Sequence, residues 1–596
     1  MLGKTKIFGR AGSGKTTFLL NELDKLLESG VHPRRIAMVT YTKIAAHVFK
    51  ERAKNRFNLT ERDVSSFGTM NSLAWRQCGL RATNMLNEKE KKDFIEMYYP
   101  EFLSSMGDYD EETYYLDSDD KDKLKQRSKI DAMMNIDEIM RNAAITDFDY
   151  GKLYIVTGND LGYSRYDIID STRWSEKHNK FVLKWKRSFE YISRSEQTMF
   201  SKRLQEYMEE NDLFSYARSL ELVIEQEACH PAEFMFFDEF QDFSKLQYDV
   251  YMQWSETDHV DHVWLCGDDA QAIYRFSSAS PEFLIKTRCT ETIHLPKTYR
   301  HGKEILESAQ PYLDRMSIVE KVDLEPADID GKVITYHGDE WIDHFKCSND
   351  DETVLVLTAT KYWANQVRSI LKRMFPDVYF CNLEDMRKVE RVFGMYNTIA
   401  DLERGEEVEK DRIVPFFKSS SPLPTKMLWI DAQTALIGSS TTPKKTTVLK
   451  SVKKSIRENR FDLRDYYTKE SFERDFMKAK WDGKLLMSNI PDISIFPNAP
   501  DTFPNYAIPK VNKRIGTIHK AKGDEADTVL LFMGVSYPSY ERIYEVVVRD
   551  DVLHQFYVGK TRARTKQIDV YDFVKYGNGV TAPAPLEIIP ERSRNH

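Results

Sequence analysis

Gly9-Arg10-Ala11-Gly12-Ser13-Gly14-Lys15-Thr16 carries glycines, a lysine and a hydroxyl residue at the spacing of a phosphate-binding loop. Gly12 and Gly14 let backbone N–H groups curl around phosphate oxygens with no Cβ in the way. Lys15 supplies a point charge toward the β- and γ-phosphates, and the Thr16 hydroxyl can ligate Mg²⁺. The nucleotide-contacting set runs on through Ser13 and Thr17. Much further along, four apolar residues deliver Asp238-Glu239-Phe240-Gln241-Asp242. Two adjacent carboxylates at a buried strand end, downstream of a phosphate loop, have a specific use. One of Asp238 and Glu239 would hold Mg²⁺, which Thr16 can also ligate, and the other would polarise the water that attacks the γ-phosphate. Gln271, in Gly267-Asp268-Asp269-Ala270-Gln271-Ala272-Ile273-Tyr274, is a neutral donor and acceptor suited to sensing that phosphate or its water.

These residues need a sheet to hold them. Lys6-Ile7-Phe8 reads as a strand and Thr17 to Leu27 as a helix, so the loop lies between them with a helix N-terminus aimed at the phosphates. Arg35 to Thr40 is a second strand, followed by a helix from about Ala45 to Arg56, and it places Thr40 and Tyr41 at a ligand-meeting strand end. Ser66 to Ser72 is a further such point, although Thr/Ser-rich strand ends are also plain turns and helix caps. From about Leu86 to Glu225 helical spacing dominates, as in Phe94, Met97 and Tyr98 and later Leu204, Tyr207 and Met208. An acidic cluster from Asp108 to Asp120 inside it reads as solvated surface or loop. Strands resume at Glu233–Phe237 and Val263–Cys266, then at Thr353–Thr358 and Thr528–Met533. The fold class is α/β.

A chain of 596 residues has room for about four domains. Its 41% hydrophobic and 30% charged content is that of a globular protein, and no apolar run is long enough for a membrane span. A net charge of −8 gives no overall basic signature, so contact with nucleic acid must come from local patches. The six cysteines are scattered without a C-x-x-C pair, as expected of reduced thiols in a cytoplasmic protein.

In order along the chain, Gly12–Thr16, Asp238–Asp242 and Gly267–Tyr274 resemble motifs of the UvrD/Rep/PcrA group of superfamily 1 helicases. Leu295-Pro296-Lys297-Thr298-Tyr299-Arg300 is similar to the fourth motif, Thr517 to Glu525 to the fifth, and Phe556 to Arg564 to the sixth. The resemblance implies two RecA-like P-loop domains in tandem, ATP and Mg²⁺ between them, and a domain inserted in each. The first RecA-like domain takes residues 1–85 and 226–298, with a helical insertion over 86–225. The second takes 299–405 and 512–580, with a mixed insertion over 406–511 and a tail over 581–596. The basic run Lys444 to Arg460 in that second insertion meets duplex phosphates or is a solvated helix face. Arg300 and Arg562 match the two arginines that reach the γ-phosphate, Tyr299 the residue that stacks on the base, and Glu525 the one that holds the ribose. Thr40, Tyr41, Asn71, Tyr274, Phe276, Thr517 and His519 fall where the family meets single-stranded DNA. Aromatic planes suit that task because every base has a π-face.

Some positions depart from the pattern. Eight residues precede Gly9, which leaves no room for the glutamine motif that reads adenine, and Thr17 stands where an arginine is common. Asn71 replaces a histidine, and Phe276-Ser277-Ser278 replaces Trp-Arg-Gly. The stretch after Arg564 is too short for the nuclease domain of some relatives, and this compact form resembles phage-encoded members. The resemblance implies a monomeric, ATP-driven DNA helicase in the cytoplasm of a bacterial or phage-infected cell, associated with the nucleoid. It is expected to move 3′ to 5′ on single strands and at single/double-strand junctions, with replication or repair proteins as partners. A nucleic-acid-stimulated ATPase that remodels protein–DNA complexes without unwinding is the rival reading. RNA stays open as a substrate. A small-molecule kinase needs neither Arg562 nor a second core.

Overall fold

The computed structural model describes residues 3–100, 121–144, 172–175, 180–185, 188–275, 278–347, 352–386, 389, 511–576 and 579–591. The acidic cluster of 108–120, Phe276 and the basic run of 444–460 lie outside these residues. The chain forms two compact units, one of residues 1–341 with 522–596 and the other of residues 342–521.

In the first unit, β1 (Gly3–Gly9) runs into α1 (Lys15–Glu28), β2 (Ile36–Thr40) into α2 (Lys43–Phe57), and β3 (Phe67–Thr69) into α3 (Met70–Gln77). Thr42 caps α2 and Thr69 caps α3 through their hydroxyls, so at these two strand ends the helix-cap reading holds. The stretch 86–225 contributes α4 (Glu88–Tyr98), α5 (Lys121–Asn142), β4 (Thr172–Ser175), β5 (Lys180–Trp185), β6 (Ser188–Ser193), α6 (Arg194–Glu210) and α7 (Tyr216–Glu225). Phe94, Leu204, Tyr207 and Met208 are buried in a hydrophobic cluster with Ile136 and Met140 of α5. One detail departs from the helical expectation: β4, β5 and β6 pair as an antiparallel sheet.

Next come β7 (Phe234–Phe237), α8 (Lys245–Ser255), β8 (His262–Gly267), α9 (Pro281–Lys286) and β9 (Glu291–Leu295). All strand pairs of the first sheet are parallel, in the order β3-β2-β7-β8-β1-β9. Alternation along each strand shows why both faces are covered. Phe8, Val39, Phe237 and Leu265 point into one cluster with α3, α7 and α8, while Ile7, Met38, Phe236 and Cys266 point into another with α1 and α2. Strands buried on both sides read as continuous apolar runs, which is how they stand out in the sequence.

α10 (Lys303–Arg315) and β10 (Lys332–His337) complete this part of the unit. In the second unit, β11 (Val354–Thr358) is followed by α11 (Lys361–Met374), β12 (Cys381–Asn382) and β13 (Lys513–Thr517), and β13 pairs in parallel with both β11 and β12. The first unit resumes with β14 (Ala526–Phe532), α12 (Val546–Lys560) and β15 (Ala563–Tyr571), where β15 pairs in parallel with β10 and β14. Mixed α/β order with parallel sheets and a P-loop after the first strand fits a RecA-like fold. Among the described residues, no helix is long and apolar enough to cross a membrane.

Candidate active site

The parallel register sets the site. Phe8 of β1 lies opposite Gly267 of β8, and Met38 of β2 opposite Phe236 of β7, so the phosphate loop, Asp238 and Asp268 leave neighbouring strands on one edge of the sheet. Gly12 and Gly14 have φ of 73° and 80°, in the region that favours glycine. A Cβ on Gly12 would also fall 2.7 Å from the Thr298 hydroxyl. That closeness is functional wiring: Tyr299 N donates to the Gly12 carbonyl (2.8 Å) and Thr298 Oγ1 to the Ala11 carbonyl (2.9 Å). Segment 298–300 is therefore stitched directly to the loop. Tyr299 is 70% exposed.

No side chain caps α1 and no acid stands in its first turn, so its positive end faces the loop uncompensated. Lys15 Nζ donates to the Gly9 carbonyl (2.8 Å), Ser13 is buried with no partner for its hydroxyl, Thr16 is half-buried, and Thr17 is exposed on α1. An orphaned hydroxyl beside a helix N-terminus is what an anion-binding loop presents.

Asp238, Glu239, Asp242 and Asp268 stand near enough to feel one another's charge. Burial and the neighbouring Glu239 charge raise the Asp238 carboxyl, and burial pushes Asp242 up to about 7. Glu239 is held below the usual range against its burial by the Lys15 and Lys522 charges and the Gln241 amide, which donates to Oε2 (2.5 Å). Its φ of 53° puts a non-glycine residue in the left-handed region, a local strain that surrounding contacts must hold. Magnesium fits this set. The hydroxyl of Thr16 and the carboxylate of Asp238 are hard oxygen donors, an excess of buried carboxylate would be relieved by a divalent cation, and Mg²⁺ takes few protein ligands when phosphates and water supply the rest.

Gln271 and Arg562 meet. The Arg562 Nη2 donates to Gln271 Oε1 (2.8 Å), while Gln271 Nε2 donates to Asp268 Oδ2 (2.5 Å). Arg562 is almost wholly buried, its Nε on the Val558 carbonyl and Nη1 on the Asp524 carbonyl. Burial and then Arg300 lower its guanidinium to about 9. Arg300 donates to Glu525 Oε2 (2.7 Å) and the Thr561 carbonyl (3.1 Å), and Arg564 bonds the other Glu525 oxygen. Glu525, read as the ribose holder, is thus already held by two arginines.

The strand-facing set divides. Tyr41 and Tyr274 stack with ring centroids 5.5 Å apart, and Lys522 Nζ lies 4.9 Å from the Tyr274 centroid. Thr40 is buried with its hydroxyl on the Thr42 carbonyl, and Asn71 Nδ2 donates to the Tyr216 carbonyl at the start of α7 (2.8 Å). Thr517, at the end of β13, and His519 are half-buried residues of the second unit.

Residues 1–290 match the model of the UvrD/REP helicase N-terminal domain. The chain has a UvrD/Rep-like helicase domain. The match takes in the phosphate loop, the Asp238–Glu239 pair and Gln271, and bears out the family read from the motifs. No curated protein matches the chain. The UvrD/REP-type domain brings ATP use and DNA as the expected polymer with it. Two members of its site were not singled out in the sequence. Lys522 donates to Asp242 Oδ2 and to the Gln271 carbonyl (2.6 Å), and Arg10 reaches Asp268 and Asp269. Both are cations whose carboxylate partners stand far away in sequence, and no local pattern signals such a pair.

Proposed function

We propose that this chain is an ATP-driven translocase and helicase that moves 3′ to 5′ on single-stranded DNA. The observation that carries the reading is the direct bond from Arg562 to Gln271, beside the phosphate loop and the Asp238–Glu239 pair. A small-molecule kinase has no use for an arginine brought from residue 562 to a sensor at residue 271. In the proposed cycle the loop and Lys15 would hold the triphosphate, and Thr16 and Asp238 would hold Mg²⁺, which would offset phosphate charge. Glu239 takes the proton from the attacking water. Gln271, Arg300 and Arg562 would meet the γ-phosphate, so its loss removes one bridging group between the loop and residue 562, while the bond from Arg562 to Gln271 remains. The change in that contact is what we propose couples hydrolysis to movement along the strand.

Tyr41 and Tyr274, with Thr40 and Asn71, are the proposed single-strand contacts of the first unit, and Thr517 and His519 those of the second. Tyr41→Ala and Tyr274→Ala are each expected to weaken single-strand binding by roughly 1–3 kcal/mol while leaving DNA-independent ATP hydrolysis intact. Fluorescence anisotropy with a labelled oligonucleotide checks this; unchanged affinity in both variants would move the strand contacts elsewhere. The remodelling alternative is favoured by one observation: the Asn71 amide is turned to the Tyr216 carbonyl. The deciding experiment measures ATP turnover with single-stranded DNA, RNA or neither, alongside strand displacement. Stimulation by DNA with no displacement selects the remodeller. Polarity is read from duplexes carrying a single 3′ or 5′ tail, where unwinding from the 3′ tail is expected and preference for the 5′ tail overturns the direction.

A further inference from the structure

Arg10 is the first side chain after β1, and it is not spent on solvent. Its Nη1 donates to Asp268 Oδ1 (2.8 Å) and to Asp269 Oδ1 (2.5 Å), and its Nη2 donates to the Glu320 carbonyl. The side chains are 3% exposed for Arg10 and 0% for both acids. The strand register makes the meeting unavoidable. Phe8 pairs with Gly267, so Arg10 and Asp269, each two residues on, leave adjacent parallel strands at the same level. Asp269 spends its second oxygen on Glu320 N (2.5 Å), which is structural. Asp268 spends its second oxygen on the Gln271 amide (2.5 Å), and the carbonyl of that amide receives Arg562 (2.8 Å). An unbroken chain of bonds therefore runs Arg10, Asp268, Gln271, Arg562.

The direction of each bond matters. An ionised Asp268 only accepts, so it fixes the Gln271 NH₂ group toward itself and the oxygen toward Arg562. If the Gln271 amide turned over, its NH₂ would face a guanidinium that can only donate. Burial alone would push Asp268 toward its neutral, donating form, and Arg10 is the largest charge opposing that. We propose that Arg10 is a positioning residue that ties the phosphate loop to the γ-phosphate sensor, setting the orientation of Gln271 through Asp268. This rests on the proposed ATP hydrolysis and deepens it, because a shift of the loop on nucleotide binding would then be felt at Gln271 and Arg562 through buried bonds.

Alanine at position 10 would strand two buried carboxylates, so the test uses Arg10→Lys, which keeps a charge but replaces a planar guanidinium, whose Nη1 serves both acids and Nη2 the Glu320 carbonyl, with a single nitrogen on a differently shaped stem. Arg10→Lys is expected to lower kcat about 10- to 100-fold with KM for ATP little changed. In a Gln271→Ala background the same change is expected to have no further effect, because the residue it acts through is gone. A parental rate for Arg10→Lys, or an equal loss in both backgrounds, overturns the proposal. If Arg10→Lys does not fold, the charge-neutral pair Arg10→Met with Asp269→Asn enters the same cycle with the same two outcomes. The ratio of affinities for ADP with aluminium fluoride and ADP alone reads the γ-phosphate site without turnover, and it is expected to fall in the variant and stay unchanged if Arg10 is only structural. Turnover by the parental chain tests the proposed activity separately.

Discussion

Arg562→Ala is expected to slow ATP turnover by about 10³–10⁵-fold while KM for ATP changes far less, since an arginine supplied to a phosphoryl transition state acts where charge develops. The geometry explains both halves. Arg562 is buried with three of its bonds going to neutral oxygens, those of Val558, Asp524 and Gln271. Among the described residues no carboxylate is bonded to it, and burial with the nearby Arg300 lowers its guanidinium to about 9. A buried cation held without a bonded counter-charge is a place waiting for an anion. In the proposed cycle ground-state affinity would come mainly from the loop, Lys15 and Tyr299, none of which the substitution touches. Arg562→Lys keeps the charge but loses the second bond of the fork, and recovers only part of the rate. Steady-state kinetics with and without single-stranded DNA decides. Near-parental turnover would make Arg562 a helix-end bracket for Val558 and no part of the chemistry.

How much of this was legible depends on whether the cause was local. The phosphate loop was, because its spacing, the strand before it and the helix after it lie within 28 residues. Glu239 was, because a buried strand of Phe234–Phe237 announces the carboxylates at its end. The strand order β3-β2-β7-β8-β1-β9 was not, since β1 lies between strands that begin at residues 262 and 291. That order is what pairs Arg10 with Asp268 and Asp269, so the role of Arg10 stayed hidden with it. Lys522 is the same case, a lysine in a motif whose acceptor is Asp242. The antiparallel strands β4, β5 and β6 escaped because each has six residues or fewer, within a long stretch of helical periodicity.

Glu239→Gln is expected to bind ATP at close to the parental affinity and to hydrolyse it about 10²–10⁴-fold more slowly, the range for losing a positioned general base. The substitution is nearly isosteric, and one oxygen remains to accept from the Gln241 amide that now holds Oε2 (2.5 Å). What disappears is the charge. In the parental chain the Lys15 and Lys522 charges and that amide keep Glu239 ionised despite its burial, while Asp238 beside it is pushed the opposite way. In the proposed cycle Asp238 would serve the cation and Glu239 the water. Lys15→Ala separates binding from chemistry on the same loop. Lys15 Nζ rests on the Gly9 carbonyl (2.8 Å), so removing it leaves the loop backbone in place but takes a positive charge away from the phosphates. Nucleotide affinity should then fall along with turnover, whereas in Glu239→Gln only turnover falls. Equilibrium binding of a fluorescent ATP analogue, with single-turnover hydrolysis of ATP, tells the two apart. Hydrolysis by Glu239→Gln at the parental rate would remove that carboxylate from the reaction, and leave Asp242, raised to about 7 and bonded to Lys522, as the remaining buried acid of the motif to test.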